Sequence, residues 1–214
     1  MKLLAIDRST DTLSVALAQE GEIAVRAYDG ADARNADWPV KIRDFLAENA
    51  LEFSDLDRIV IGTGPGSFAG IRGALAFAQG LAVGIRSKRS DLNGAPIVYG
   101  LPSPSALAGE AGPVAVVGDA RRGLFWVVVY EGAKTVSGFR LVQREDLAAA
   151  VPESATVLTS DGARIGATLN ETFGERYAGS RPPSAGELAR IALAHTDVLV
   201  CEPLPVYLSP AVRT

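Results

Sequence analysis

Two stretches carry the residue types of phosphate chemistry. GTGPGSFAGIR (62–72) places four glycines, a proline and a serine between one apolar run and the next, and LAIDRST (4–10) ends an apolar run on Asp7, followed by Ser9 and Thr10. An aspartate at the end of a first strand can orient a cation and phosphate, and glycines before a helix can cradle an anion with backbone N–H groups. Asp7, Ser9, Thr10, Gly64, Gly66 and Ser67 are therefore the candidate anion or nucleotide set. The spacing departs from each standard version. A Walker loop needs lysine after its last glycine, and Ile71 follows Gly70. A dinucleotide fingerprint needs glycine where Ser67 stands, and a nucleophile elbow needs it where Pro65 stands. What remains is a strand, a tight turn and a helix N-terminus capped by Ser67, which either binds an anion or simply turns the chain. Asp-Arg-Ser-Thr also lacks the glycine that admits phosphate, and Asp119 is followed by Arg121 and Arg122, two arginines of a hairpin turn that can also meet an anion. Any nucleotide site here reads as vestigial. One histidine, His195, and one cysteine, Cys201, exclude a multi-ligand metal site and an internal disulfide.

The helix after the turn is the second feature. Gly70, Ala74, Ala78 and Ala82 recur every four residues, with Gly73 and Gly80 as further small positions. Each interior glycine costs a helix about 1 kcal/mol relative to alanine, so close approach of another helix is expected to offset it. The expected interface comprises Gly70, Gly73, Ala74, Phe77, Ala78 and Gln79 of this helix with Trp38 and Ile42 of the preceding one. A purely internal helix in a filled core is the alternative.

These segments need elements to hold them. Residues 2–7, 13–19 and 22–28 read as a three-strand meander, followed by a helix from Asp37 to Asn49 with Asp37 as its cap, a strand at 58–63 and a helix from Ser67 to Gly84. Residues 114–119, 124–130 and 135–143 read as three more strands, then a helix at 144–151, a strand at 156–162 and a helix at 184–195 capped by Ser184. The connection 86–113 reads as a surface loop with a short helix at 103–110, and its cations Arg86, Lys88 and Arg89 as solvated charges. The order βββαβα occurs twice, which predicts an α/β, two-lobed actin-like (ASKHA) fold with lobes at 1–105 and 106–214 and a cleft between them.

Composition narrows the function. Hydrophobic residues make up 48% and charged residues 21%, near globular averages. A net charge of −4 argues against a broad basic face for nucleic acid. The apolar run 73–85 is interrupted by Gln79 and Gly80 and is expected to fall short of a membrane span. Without a signal-peptide pattern, a cytoplasmic protein is expected.

LLAIDRSTDTLSVAL, DFLAENALEFSDLDRIVIGTGPGSFAGIRGALAFAQGLAVG, DARRGLFWVVVY and the closing PLPVYL resemble the TsaB (YeaZ) family over nearly the whole chain. The resemblance implies a non-catalytic, actin-like scaffold in the synthesis of N6-threonylcarbamoyladenosine in tRNA. It implies pairing with a catalytic TsaD-type subunit, help in recruiting a TsaE-type ATPase, contact with tRNA only through the complex, a homodimer when isolated, and no cofactor or membrane. The family's histidine and serine before the first helix are replaced by ARNADWP, and 87–97 is an insertion. The His-x-x-x-His pair of the catalytic paralogue has no counterpart here. The rival class is an actin-fold small-molecule kinase or nucleotide hydrolase working through Asp7 and the Gly64–Gly66 turn.

Overall fold

The structure, a computed structural model, describes residues 1–88, 95–109 and 112–208. Arg89 and most of the 87–97 insertion lie outside the described residues. The chain divides into two units, one made of residues 1–103 and 184–206 and the other of 104–183 with the segment from 207.

The first unit is built on β1 (Leu3–Asp7), β2 (Leu13–Gln19) and β3 (Glu22–Tyr28), paired antiparallel in sequence order. Glu20 and Gly21 both take positive φ, as a two-residue hairpin loop requires. β4 (Arg58–Gly62) and β5 (Ile97–Leu101) add parallel strands on the other side of β1, and β11 (Val200–Cys201) closes that edge. The resulting order is β11-β5-β4-β1-β2-β3. Residues 3–6 of β1 are all buried, which fits a central strand covered on both faces and explains why LLAI is continuously apolar.

One face of this sheet packs against α2 (Trp38–Glu48) and α3 (Phe68–Lys88). Ile42, Phe45 and Leu46 of α2 meet Leu4, Ile6 and Ile59 of the sheet in one cluster with Ile71, Ala74 and Ala78 of α3. Pro39 stands in the first turn of α2 as expected, but the Asp37 side chain makes no capping hydrogen bond, which corrects its expected role.

The second unit repeats the plan. β6 (Pro113–Arg121), β7 (Leu124–Glu131) and β8 (Lys134–Val142) form an antiparallel set, and β9 (Thr156–Thr159) and β10 (Tyr177–Ser180) extend it in parallel to give β10-β9-β6-β7-β8. Read from the outer meander strand inward, both sheets have the order third, second, first, fourth, fifth. That shared order is the duplicated actin-like (ASKHA) fold.

Three assignments made from sequence change. Residues 144–151 form successive turns rather than a helix, with bonds such as Leu147 N–H to Arg144 O closing three-residue steps, while Pro152 blocks continuation and Leu147 anchors the segment in the core. The helix of this unit is α4 (Gly162–Phe173), whose Ile165, Leu169 and Phe173 lie four residues apart and are buried. The helix at 184–195 is α5 (Ala185–Ala194), capped by Ser184 as expected, but it belongs to the first unit rather than to the lobe 106–214. There Ala185 N–H donates to Ser14 Oγ at 2.9 Å, and Gly186 lies so close to Val25 that a Cβ would come within 2.7 Å of it. The connection 86–113 likewise carries β5 and a short 3-10 turn at Ser103–Leu107 instead of loop alone.

Candidate functional site

Asp7 closes β1 and is 1% exposed. Its Oδ1 accepts from Ser9 N–H at 2.9 Å and from Ser9 Oγ at 2.7 Å. Its Oδ2 is buried without a hydrogen bond. Burial pushes the carboxyl above the usual carboxylate range, against the Ser103 and Ser9 hydroxyls and the Ser9 N–H, which pull it down. Oδ2 and Ser103 Oγ converge on Gly62, where an added Cβ would sit 1.9 Å from Oδ2 and 2.7 Å from Oγ. Ser103 Oγ in turn accepts from Gly64 N–H at 3.0 Å. The carboxyl is therefore enclosed by its own strand ends.

The glycine turn is shaped by its neighbour, the Arg8–Ser9 backbone. A Cβ on Gly66 would lie 2.0 Å from Ser9 O, and one on Gly70 would lie 2.1 Å from Arg8 O. Ser67 N–H donates to Ser9 O at 2.7 Å, and Gly70 N–H to Ser67 Oγ at 3.2 Å, the expected N-cap. Two backbone carbonyl oxygens, those of Arg8 and Ser9, thus occupy the space that Gly70 and Gly66 leave. Of the candidate set, the structure brings together Asp7, Ser9, Gly64, Gly66 and Ser67. Thr10 instead accepts from Thr12 N–H at 3.2 Å.

In the second unit Arg121 and Arg122 both take positive φ at the tip of the β6–β7 hairpin. Arg121 turns back on Asp119, its Nη1 3.3 Å from Oδ2, and Arg164 of α4 lies 3.7 Å from the same oxygen. Asp119 is thus engaged by its own unit.

The expected interface divides in two. Ala74 and Ala78 are 0% exposed, and Gly70, Trp38 and Ile42 are buried with them, so this stripe faces the unit's own sheet and α2. This corrects the sequence expectation: the close approach that Gly70 permits is made by the Arg8 backbone. Gly73 and Phe77 are half-buried. The Phe77 ring stands edge-on to Trp38 at 4.9 Å, and the Arg8 guanidinium covers Trp38 at 4.4 Å while donating to Ala33 O at 2.8 Å. Only Gln79 of the expected set is exposed.

The opposite face of α3 is exposed and apolar. Phe68 is 58% and Val83 69% exposed, with Ala69, Ala76 and Gly80 between them, Gly84 next to Val83 and Arg72 stacked on Phe68 at 4.8 Å. By length and composition the segment Phe68–Arg86 meets the requirement for a membrane span, mean hydropathy 1.4, contrary to the expectation from Gln79 and Gly80. Its buried stripe is nonetheless packed on the sheet, and a third of the segment is buried. Gly80 and Gly84 face open space, since a Cβ at either would meet nothing within 4 Å. Among the described residues no side chain or neighbouring segment crowds the place of a Cβ at either position, despite the helix-propensity cost of glycine. Beside them a groove of about 590 Å³ runs between α3 and the end of α2, lined by Ala47, Leu51, Phe53, Gly80, Leu81 and Gly84, with Arg43 and Glu52 as its charges. Neither the groove nor the outward face was identified from sequence; the signal available was the row Phe68, Ala76, Val83, offset from the small-residue stripe.

Two glycine substitutions separate these roles. Gly70→Ala is expected to destabilise the protein by about 1–3 kcal/mol through overpacking against Arg8 O, and Gly80→Ala to stabilise it by up to about 1 kcal/mol through helix propensity. Urea denaturation of the two variants and the parent checks both signs.

Comparison with known proteins gives a family match. The model of the family described as TsaD, tRNA N6-adenosine threonylcarbamoyltransferase, matches residues 36–153. An uncharacterized protein of Mycobacterium tuberculosis is 33% identical over 141 residues, 63% of this chain and 62% of the relative. The tRNA threonylcarbamoyladenosine biosynthesis protein TsaB of Escherichia coli is 36% identical over 86 residues, 39% of this chain and 36% of the relative. The match thus spans under two thirds of the length of these relatives. Among solved structures, YeaZ from Pseudomonas aeruginosa superposes with a TM-score of 0.74 at 26% identity, covering 96% of this chain and all of that one.

Proposed function

Given that the chain belongs to the TsaD (tRNA N6-adenosine threonylcarbamoyltransferase) family and within it to the TsaB (YeaZ) group, we propose that it is a non-catalytic scaffold of tRNA N6-threonylcarbamoyladenosine synthesis in the cytoplasm. It pairs with a catalytic TsaD-type subunit, and the pair recruits a TsaE-type ATPase and tRNA. The observation that carries this reading is the outward face of α3, where an exposed phenylalanine and valine stand with glycines whose missing Cβ no described neighbour crowds. An apolar face of this kind on a folded unit marks an interaction surface. The first-unit turn adds support, because its glycines seat the Arg8–Ser9 backbone and its aspartate is enclosed.

The test is reconstitution. Threonylcarbamoylation of tRNA by the catalytic subunit and the ATPase should depend on this chain, and the chain alone should turn over no ATP. ATP turnover that persists through purification and disappears in Asp7→Asn would sink the scaffold reading in favour of an enzyme.

A further inference from the structure

Arg8 is a half-buried cation, and among the described residues no carboxylate pairs with it. Its guanidinium lies over the Trp38 ring, 4.4 Å from the centroid, and gives one N–H to Ala33 O at 2.8 Å. The other guanidinium N–H groups have no described acceptor. Burial works against the charge and pulls its pKa below the ordinary arginine value, with no neighbouring acid to offset the effect. Charges withdrawn from water are ordinarily paired, so this one is a place where an anion belongs.

Gly73 borders the same group. A Cβ there would find only Arg8 Nη1 outside its own helix backbone, at 3.4 Å, so the missing side chain leaves an approach to the guanidinium from the α3 side. Ala69 and Ala76, one turn to either side of Gly73, belong to the exposed outward face. Next to Gly73, Arg72 holds a second guanidinium on Phe68, also without a described carboxylate. Arg8 of Asp-Arg-Ser-Thr and the ARNADWP segment, two departures from the TsaB (YeaZ) pattern, are thus one contact, because Ala33 and Trp38 both belong to that segment.

We propose that Arg8 anchors an aspartate or glutamate side chain of the catalytic subunit, which enters over Gly73 and takes Nη1 and a neighbouring N–H as a bidentate pair. The proposal rests on the reading of the outward face as a pairing surface and adds a charged contact at its margin. Trp38, itself braced edge-on by Phe77, holds the guanidinium in place before the partner arrives, so little side-chain freedom is lost on pairing. A single protein carboxylate suits this position better than a nucleic-acid backbone. Asp29, Asp32 and Asp37 lie on the segment that leads to Trp38, and the chain carries a net charge of −4, so a polyanion would run against these acids.

Titration of full-length variants with the catalytic subunit tests the anchor. Arg8→Met keeps an aliphatic stem against Trp38 and removes the charge, so the free chain should melt close to its parent while pairing weakens about thirtyfold or more. Arg8→Glu should weaken pairing about tenfold further, since like charges then face each other, and Arg8→Lys should recover part of the loss by restoring charge without the fork. Gly73→Glu supplies the carboxylate from the chain itself: it should raise the melting temperature and weaken pairing more than the uncharged Gly73→Gln does. An Arg8→Met protein that pairs like its parent overturns the anchor, and loss of tRNA modification by that same protein would give the guanidinium to RNA instead. An Arg8→Glu protein that pairs no more weakly than Arg8→Met also overturns it, because the contact would then be packing alone. A parent chain that does not pair at all overturns the function and the anchor together, so the two failures read differently.

Discussion

Val83→Glu is expected to abolish pairing with the catalytic subunit while leaving the fold intact, and Ala78→Phe is expected to do the reverse. Val83 is the more exposed of the two large apolar side chains on the outward face of α3, so a glutamate there is solvated in the free chain and keeps good helix propensity. In a dry helix seam the same charge would lose its water without gaining a partner, at a cost of about 3 kcal/mol or more, which is over a hundredfold in affinity. Ala78 has no exposed surface and packs in the cluster of α2 and the sheet, so phenylalanine must displace neighbours. Overpacking of this kind costs about 1–3 kcal/mol of stability. Melting curves and titration calorimetry with the catalytic subunit separate the two. Normal pairing by Val83→Glu would remove this face from the interface. A stably folded Ala78→Phe that loses pairing alone would restore the stripe Gly70, Ala74, Ala78 as the contact.

That pair of substitutions also shows what was legible in the sequence. The four-residue recurrence of small side chains in α3 was visible, and so was the need for something to approach them closely. Which direction the stripe faced was not, because α3 is apolar nearly all round and periodicity alone cannot tell a sheet-facing stripe from a partner-facing one. The decisive contact, Arg8 O against Gly70, joins residues sixty-two positions apart and has no local signature. The same limit explains α5. Its helical period and Ser184 cap were readable, but its return to the first sheet depends on Ser14 and Val25, far earlier in the chain. In the second unit, the apolar spacing at 144–151 resembled a helix until Pro152 and the inward pull on Leu147 favoured turns, while α4, with glycines at 162 and 166, offered weaker propensity and was missed. The duplicated strand order survived these errors because alternating apolar strands and short turns repeat in both halves.

Asp7→Asn is expected to stabilise the protein at neutral pH and to flatten the dependence of its stability on pH. The carboxyl is enclosed, one oxygen is without a hydrogen bond, and burial holds its pKa above the ordinary 3.8. Between the ordinary value and the raised one the folded chain holds a proton that the unfolded chain has released. Stability therefore falls as pH rises through that window and levels off above the raised pKa, by about 1.4 kcal/mol for each unit of separation. Asparagine removes the charge while keeping the shape. Its Oδ1 can accept the two bonds from Ser9, and its Nδ2, placed where Oδ2 lies beside Ser103, can donate to the Ser103 hydroxyl, which already accepts from Gly64. Denaturant titrations of parent and variant between pH 4 and 8 should diverge steadily with pH, the variant being the more stable, and the difference curve isolates Asp7 from the exposed carboxylates. Parallel curves, or a variant less stable at pH 8, would show that the carboxylate is held ionised by contacts that favour its charge. The same variant should pair with the catalytic subunit as the parent does, since Asp7 lies within the strand ends and away from the outward face of α3. If it assembles normally yet loses tRNA modification, the enclosed acid serves the reaction itself, and the scaffold reading fails at this residue.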